Sequence, residues 1–308
     1  MNRGMLRWAG GKSWLTPTLV RSLPNFKRYI EPFCGAANLF FAIEPKHAIL
    51  ADLNPMLIST YSTLTKHSES IINSLLHIPV NADVYYQVRK ELYNTQSSKE
   101  RAAYFLYLNQ HCWNGLFRVN KQGRFNVPYG RPNRKSTRPQ VDVQAIRRSA
   151  SLLAGKQLMT CDFESTAALA SAGDLIYFDP PYKIGQNTNA FSQYTSLGFS
   201  NQDEERLAAV ALMLANRGVH VIVSHALSDP LLKLYSSRFL RTPVSRAQTI
   251  SGKPDGRRIA EEIILSTFPI RSQRQLEGQL LADPIRLNRS IVIDSSQDGR
   301  DSLEIATS

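Results

Sequence analysis

The sequence predicts an α/β fold: an open sheet of strands alternating with helices, interrupted once by an inserted, mostly helical domain. Three observations carry this. Apolar runs of strand length recur along the chain and end at a glycine turn or an acid; segments of helical periodicity separate them; and from about Leu57 to Gly155 the alternation stops while helical signals continue. Open sheets of this kind bind ligands at the C-terminal ends of their strands, so the residues there are the candidate site.

Tyr29-Ile30-Glu31-Pro32-Phe33 is the first strand, Cys34-Gly35-Ala36-Ala37-Asn38 the turn after it, and Leu39-Phe40-Phe41-Ala42-Ile43 the start of a helix. A glycine there lets a ligand approach a helix N-terminus without meeting a side chain. His47-Ala48-Ile49-Leu50-Ala51 is the second strand. Asp52 follows at about the separation from Gly35 at which such folds set an acid on ribose hydroxyls. A carboxylate can accept from both hydroxyls of one sugar. The plainer role for Asp52 is to cap the helix beginning near Asn54-Pro55.

Within the insertion, Ile71 to Leu76 and Val84 to Leu92 read as amphipathic helices, and Ser97-Ser98-Lys99-Glu100 is a capping box opening the helix through Tyr104-Phe105-Leu106-Tyr107-Leu108. Next come His111-Cys112-Trp113-Asn114-Gly115-Leu116-Phe117-Arg118 and Asn120-Lys121-Gln122-Gly123-Arg124-Phe125-Asn126-Val127-Pro128-Tyr129-Gly130. Alternating aromatic and basic residues around Gln122-Gly123 predict a β-hairpin. No Asp or Glu occurs between Arg101 and Val141, where Arg118, Lys121, Arg124, Arg131, Arg134, Lys135 and Arg138 gather. Such a segment suits phosphate tracking, with a few aromatic and Arg side chains placed to read bases.

The sheet pattern resumes with Leu158-Met159-Thr160-Cys161, ending at Asp162-Phe163, an acceptor beside an aromatic that can clamp an adenine ring or, for Phe163, fill the core. Leu175-Ile176-Tyr177-Phe178 then runs into Asp179-Pro180-Pro181-Tyr182. The two prolines fix the turn, so the Asp179 carboxylate and the Pro180 carbonyl form an acceptor pair suited to an amino group, with Tyr182 as a stacking face. Lys183 to Phe199 reads as a long polar loop ordered by a ligand. A helix capped by Ser200 or Asn201, bearing Leu207, Val210, Ala211 and Leu214 and ended by Gly218, precedes strands at Val219 to Val223 and Glu262 to Ser266. Arg241 to Arg258 reads as a basic, turn-rich loop.

The formal charge of +12 and pI near 9.7 point to a polyanionic partner, nucleic acid or acidic membrane. No run of about 18 apolar residues exists, which predicts a cytoplasmic, soluble protein with no membrane partner. Cys34, Cys112 and Cys161 lack metal-ligand spacing and the histidines are scattered, so neither disulfides nor a metal is expected. Gly10-Gly11-Lys12-Ser13 invites a nucleoside-triphosphate loop. That pattern needs a glycine where Leu6 stands, which leaves a glycine turn whose Trp8 and Lys12 reach a small ligand.

In combination, Trp8-Ala9-Gly10-Gly11-Lys12, Pro32-Phe33 with Gly35, Asp52, the hairpin with Asn114-Gly115-Leu116 and Arg118, and Asp179-Pro180-Pro181-Tyr182 resemble the Dam-type DNA adenine-N6 methyltransferases, the D12 class with the alpha motif order, over about residues 5–268. The resemblance implies a Rossmann-like methyltransferase sheet with an inserted target-recognition domain. Its parts would be residues 1–56 and 158–269 as catalytic halves, 57–157 as the recognition domain with its hairpin near 112–133, and 270–308 as a tail without an assigned role.

It further implies S-adenosylmethionine as cofactor, held by Trp8, Lys12, Gly35, Asp52, Asp162, Phe163 and Asp179. Asp179, Pro180 and Tyr182 would serve catalysis, and Trp113, Asn114, Leu116, Arg118, Lys121 and Arg124 would contact double-stranded DNA at GATC. The setting would be a bacterial or phage-infected cell, and the protein a monomer. A cytosine-N4 or glutamine methyltransferase would favour Asn or Ser where Asp179 stands, and a silent DNA-binding protein would have no use for Trp8, Lys12, Asp52 and Asp179 together. Two departures stand out. Ala37 replaces a second glycine, so φ there is expected to stay negative or the cofactor to sit farther off. Trp113 replaces a common Tyr, keeping the stacking face and losing a hydroxyl.

Overall fold

The computed structural model of the chain describes residues 4–8, 10–120, 122–130, 141–181, 199–227, 229–247 and 259–271. Its strands are β1 (Tyr29–Glu31), β2 (Ala48–Asp52), β3 (Gln157–Thr160), β4 (Leu175–Phe178), β5 (His220–Ala226), β6 (Leu240–Ala247) and β7 (Ile259–Ser266), which form one seven-stranded sheet in the order β3-β2-β1-β4-β5-β7-β6. The strands from β3 to β5 in that order run parallel, and β7 is antiparallel to both neighbours. β1 lies beside β4. The strand order reverses there, and a crevice opens beyond the strand ends. The fold is a Rossmann-like open sheet.

Side chains alternate faces along each strand. Tyr29, Leu50, Leu175, Tyr177, Ile222 and Ile264 join one apolar cluster, while Ile30, Ile49, Ile176, Phe178, Val221, Val223 and Leu265 join the other. The first cluster is roofed by helices α1 (Thr16–Ser22), α2 (Asn38–Ile43), α3 (Pro55–His77), α4 (Ala82–Glu91), α5 (Ser98–His111) and α6 (Val143–Leu153). The second is roofed by α7 (Phe163–Ala167), α8 (Asn201–Asn216) and α9 (Asp229–Leu234). Helices α3 to α6, which separate β2 from β3 in sequence, share their core with one face of the sheet.

Helix starts follow local chemistry. Asn54 accepts from the N–H groups of Met56 and Leu57 at 3.1 and 3.3 Å, so Asn54 and not Asp52 caps α3. Ser200 and Asp203 make a complete capping box on α8. At α5 only half of the expected box forms. Ser97 accepts from the Glu100 N–H at 3.3 Å, but the Glu100 carboxylate takes the Thr95 hydroxyl at 2.5 Å instead of the Ser97 N–H, which goes to Thr95 Oγ1. A second correction concerns Arg241, expected in a loop: Leu240–Ala247 is an edge strand. Pro243 is tolerated there because an edge has one side free of the ladder.

The segment 112–130 folds back on itself. Trp113 N–H donates to the Pro128 carbonyl at 2.9 Å, Asn126 N–H to Arg118 at 3.0 Å, and Asn120 N–H to Arg124 at 2.8 Å, with Gly123 at φ 73° in the turn. Cys112 and Tyr129, and Val119 and Phe125, are bridge partners. Helix α4 and its C-terminal flank hold this hairpin from below. The Tyr85 hydroxyl donates to the Val127 carbonyl at 2.9 Å, and the Tyr93 hydroxyl accepts the Phe125 N–H at 2.6 Å.

Candidate functional site

Acids stand at or just past the ends of four adjacent parallel strands: Glu31 on β1, Asp52 on β2, Asp162 after β3 and Asp179 after β4. All four line one cavity of about 210 Å³ at the switch point, with Trp8, Gly10, Gly11, Lys12, Phe33, Cys34, Gly35, Leu53, Phe163, Pro180, Pro181 and Phe199 among the rest of its wall. Trp8, Lys12, Gly35, Asp52, Asp162, Phe163, Asp179 and Pro180 are therefore brought together from points up to most of the chain apart. Tyr182 lies outside the described residues, as do Lys121, residues 183–198, where a long polar loop was expected, residues 248–258 and those past Arg271.

The turn after β1 is tightly specified. Gly35 has φ 45°, and a Cβ on it would lie 2.8 Å from the Trp8 indole, so only glycine fits under that ring. The Tyr61 hydroxyl donates to the Gly35 carbonyl at 2.7 Å, and the Gly35 N–H donates to Asp52 Oδ2 at 3.0 Å. Ala37 overturns the expectation of a negative φ: it is left-handed, at φ 51° and ψ 39°. That conformation costs an L-residue roughly 1–2 kcal/mol. The Ala37 N–H on the Cys34 carbonyl and the Phe41 N–H on the Ala37 carbonyl, in a fully buried setting, hold it there.

Asp52 receives two backbone donors, Gly35 N–H on Oδ2 and Asn54 N–H at 2.9 Å on Oδ1. Burial outweighs them and pushes its carboxyl up to about 6. Glu31, absent from the sequence-based site, is more deeply buried. Burial raises it well above the usual carboxylate range, the Tyr29 hydroxyl at 2.9 Å opposes this, and the charge of Asp179 adds to it. Its signal was present in the sequence as a lone charge in an apolar strand. Asp162 is committed to structure: its Oδ1 caps α7 through the Glu164 N–H at 2.9 Å and meets Arg206 Nη2 at 3.3 Å. Phe163 is both core and wall, stacked on Phe33 at 5.4 Å with Arg206 over its ring at 5.0 Å.

Asp179 is held through Oδ1. The Ser224 hydroxyl donates to it at 2.8 Å, Tyr177 and Ser224 hydroxyls are 3.0 Å apart, and the Lys12 ammonium lies 3.3 Å away. Lys12 also reaches Glu262 at 3.6 Å and the Gly10 carbonyl at 3.3 Å. Ser224 and Glu262 gave no sequence signal, since each sits beside another polar residue, His225 or Glu261, in a strand far from the motifs it serves. An acceptor carboxylate with one oxygen anchored, next to a proline carbonyl, is suited to gripping an amino group.

The family described as D12 class N6 adenine-specific DNA methyltransferase matches residues 8–250. The chain belongs to this family. It is 34% identical over 275 residues to the Type II methyltransferase M1.LlaDCHI of Lactococcus lactis subsp. cremoris, covering 86% of this chain and 95% of that one. It is 32% identical over 272 residues to the DNA adenine methylase of Vibrio cholerae, covering 87% and 96%, and 34% identical over 229 residues to that of Escherichia coli K12, covering 73% and 81%.

D12 methyltransferases generally draw their methyl group from S-adenosylmethionine, and the crevice fits its chemistry. Asp52 offers more acceptor sites than its two backbone donors fill, which matches a pair of ribose hydroxyls. Phe33, Phe163 and Phe199 give a flat ring apolar walls, and the acids favour a cationic ligand. Among the described residues no cluster could hold a metal ion, and no helix is long and apolar enough to cross a membrane.

On the hairpin of this D12 enzyme, Trp113 is 52% exposed and Asn114 is exposed with φ 54°. Leu116 is half-buried against the core. Arg118 is exposed, its Nε donating to Asn126 Oδ1 at 2.9 Å, and Arg124 lies 5.6 Å over the Tyr93 ring. Trp8 reaches toward this side as well, stacked on Phe117 at 5.2 Å.

Proposed function

We propose that this enzyme methylates N6 of an adenine swung out of double-stranded DNA at GATC, with S-adenosylmethionine as donor. One observation carries the reading: Asp179 is anchored through a single oxygen by Ser224 and Lys12 in the crevice that also holds Gly35 and Asp52. A silent DNA-binding protein has no need of such a built carboxylate.

In this reading Asp52 takes the ribose hydroxyls, the Gly35 turn admits the backbone-side approach, Asp162 and Phe163 border the adenine ring, and Trp8 and Lys12 close the crevice. S-adenosylmethionine, when bound, supplies a methyl group on a sulfonium and leaves as a neutral thioether. The target N6 lone pair is delocalised into the purine and is a poor nucleophile. The Asp179 carboxylate and the Pro180 carbonyl accept its two hydrogens and draw them out of the ring plane, which localises the lone pair and offsets the positive charge that grows on nitrogen as its new bond to carbon forms. The hydrogen on Asp179 is then the one shed, to the carboxylate and on to water.

Extruding the adenine costs a few kcal/mol. Tyr182 is assigned to return about 1–3 kcal/mol of that by stacking. On the hairpin, Arg118 is assigned to a guanine edge, Trp113, Asn114 and Leu116 to the gap the adenine leaves, and Lys121 and Arg124 to phosphates. The enzyme works as a monomer on DNA in the cytoplasm of a bacterium or a phage-infected cell.

The test is incubation with tritium-labelled S-adenosylmethionine and duplex DNA, followed by mapping of modified bases. Label on adenine N6 in GATC is expected; label in another sequence corrects the specificity, and label on cytosine or protein overturns the proposal.

A further inference from the structure

We propose that Glu262 is a positioning residue for methyl transfer: it shares the Lys12 ammonium with Asp179, so that the lysine orients the acceptor carboxylate without neutralising it. This deepens the function proposed above and rests on it. Lys12 is 4% exposed and Glu262 8%. The ammonium lies 3.3 Å from Asp179 Oδ1 and 3.6 Å from Glu262 Oε2. Glu262 reaches this place from β7, where it pairs with Ala226 of β5 and Val244 of β6.

The arrangement answers an electrostatic conflict. A carboxylate that grips an amine turning cationic has to remain a strong acceptor. A buried ammonium beside it opposes that, because charge–charge energies grow as water is excluded. With a second carboxylate on the same ammonium the cluster carries a net charge of about −1, and the lysine can fix Oδ1 while its field is divided. The other titratable groups facing the cluster are Glu31 of β1, which burial and the charge of Asp179 hold toward its neutral form, and His225 of β5, which lies 3.6 Å from Glu204 of α8 and which burial also holds toward its neutral form.

The experiment compares the full-length wild-type enzyme with Glu262→Gln, Glu262→Asp, Lys12→Met, the Glu262→Gln/Lys12→Met double variant and Asp179→Ala. Readouts are kcat against pH, affinities for DNA and S-adenosylmethionine, and Tm. For Glu262→Gln the expected result is a kcat lower by about 10- to 100-fold, affinities within about twofold, and an acid limb moved to lower pH, because removing a negative neighbour favours ionised carboxylates. In the Lys12→Met background the same change should have almost no further effect. Glu262→Asp keeps the charge, so its acid limb should stay at the wild-type pH even where kcat drops, and this holds the proposal to account if Glu262→Gln folds poorly.

A wild-type kcat and profile in Glu262→Gln, a loss that adds in full to that of Lys12→Met, a moved limb in Glu262→Asp, or a lowered Tm with an unmoved profile would each overturn the inference. If Asp179→Ala methylates DNA normally, it is the underlying function that fails.

Discussion

The crevice at the strand ends and the basic hairpin are built on opposite terms. In the crevice, the lining groups are buried or half-buried and tied across the chain: Asp179 to Ser224 and Lys12, Asp52 to Gly35 and Asn54, Gly35 to Tyr61. On the hairpin, Trp113, Arg118 and Arg124 are exposed, and their partners, Asn126 and Tyr93, are neighbours from the same small region. Exposed contacts of that kind contribute little, about 0.5–1.5 kcal/mol for a hydrogen bond and about 0.5–1 kcal/mol for a cation over a ring. The crevice groups are held by partners distant in sequence, whereas the hairpin side chains rest on replaceable partners beside them.

The largest expected effect tests that separation directly. Asp179→Ala should lower kcat by at least about 10²–10³-fold while DNA affinity stays within about twofold. Tritium incorporation and fluorescence anisotropy measure the two quantities, and a parallel loss of both would erase the distinction between the regions.

Gly35→Ala comes next. The added methyl meets the Trp8 indole at 2.8 Å on a backbone at φ 45°, which should cost about 1–3 kcal/mol and weaken cofactor binding. Ala37→Gly makes a control with the opposite sign: relief of about 1–2 kcal/mol of strain is partly offset by about 0.4–1 kcal/mol of added unfolded-state freedom. Thermal melts should order the three proteins as Ala37→Gly, wild type, Gly35→Ala.

Arg118→Ala should reduce discrimination at one base pair by about 1–3 kcal/mol. Methylation rates on substituted duplexes measure it, and an unchanged preference would move the base reader elsewhere.

Asp52 gives a pH dependence. Because its carboxyl is pushed up to about 6 and ribose hydroxyls need the ionised form, affinity for S-adenosylmethionine should fall below pH 6 and approach tenfold per pH unit. For stability the sign is reversed. The folded-state value lies above the ordinary one of 3.8, so the contribution of protonated Asp52 is present below about pH 4 and is lost as pH rises through 6. Calorimetric titrations across this range, with Asp52→Asn as the flat reference, check both. The smallest effect belongs to Arg124→Ala, which should weaken all DNA sequences alike and reduce the salt slope by about one.

Much of the crevice was legible in the sequence because its parts sit at strand ends, where a polar residue interrupting an apolar run is conspicuous. Leu175 to Phe178 and Asp179 are the clearest instance, and the structure gives β4 the same bounds. What could not be read falls into two kinds. β6 carries Arg241, Thr242, Ser245 and Arg246 around Pro243, and a proline among polar residues looks like loop until an edge position excuses it. The meeting of Ser224 and Glu262 with Lys12 and Asp179 had no local mark, since each lies on a different element and only the assembled sheet makes them neighbours.

The Trp8 ring carries a practical consequence. One edge forbids a methyl on Gly35, and one face lies on Phe117, which continues through Phe105 and Phe125 into the base of the hairpin. Anyone transplanting a foreign hairpin onto this scaffold would therefore have to import position 117 with a side chain of matching thickness. A graft that respected only the tip would tilt the indole and disturb the crevice wall on the far side of it.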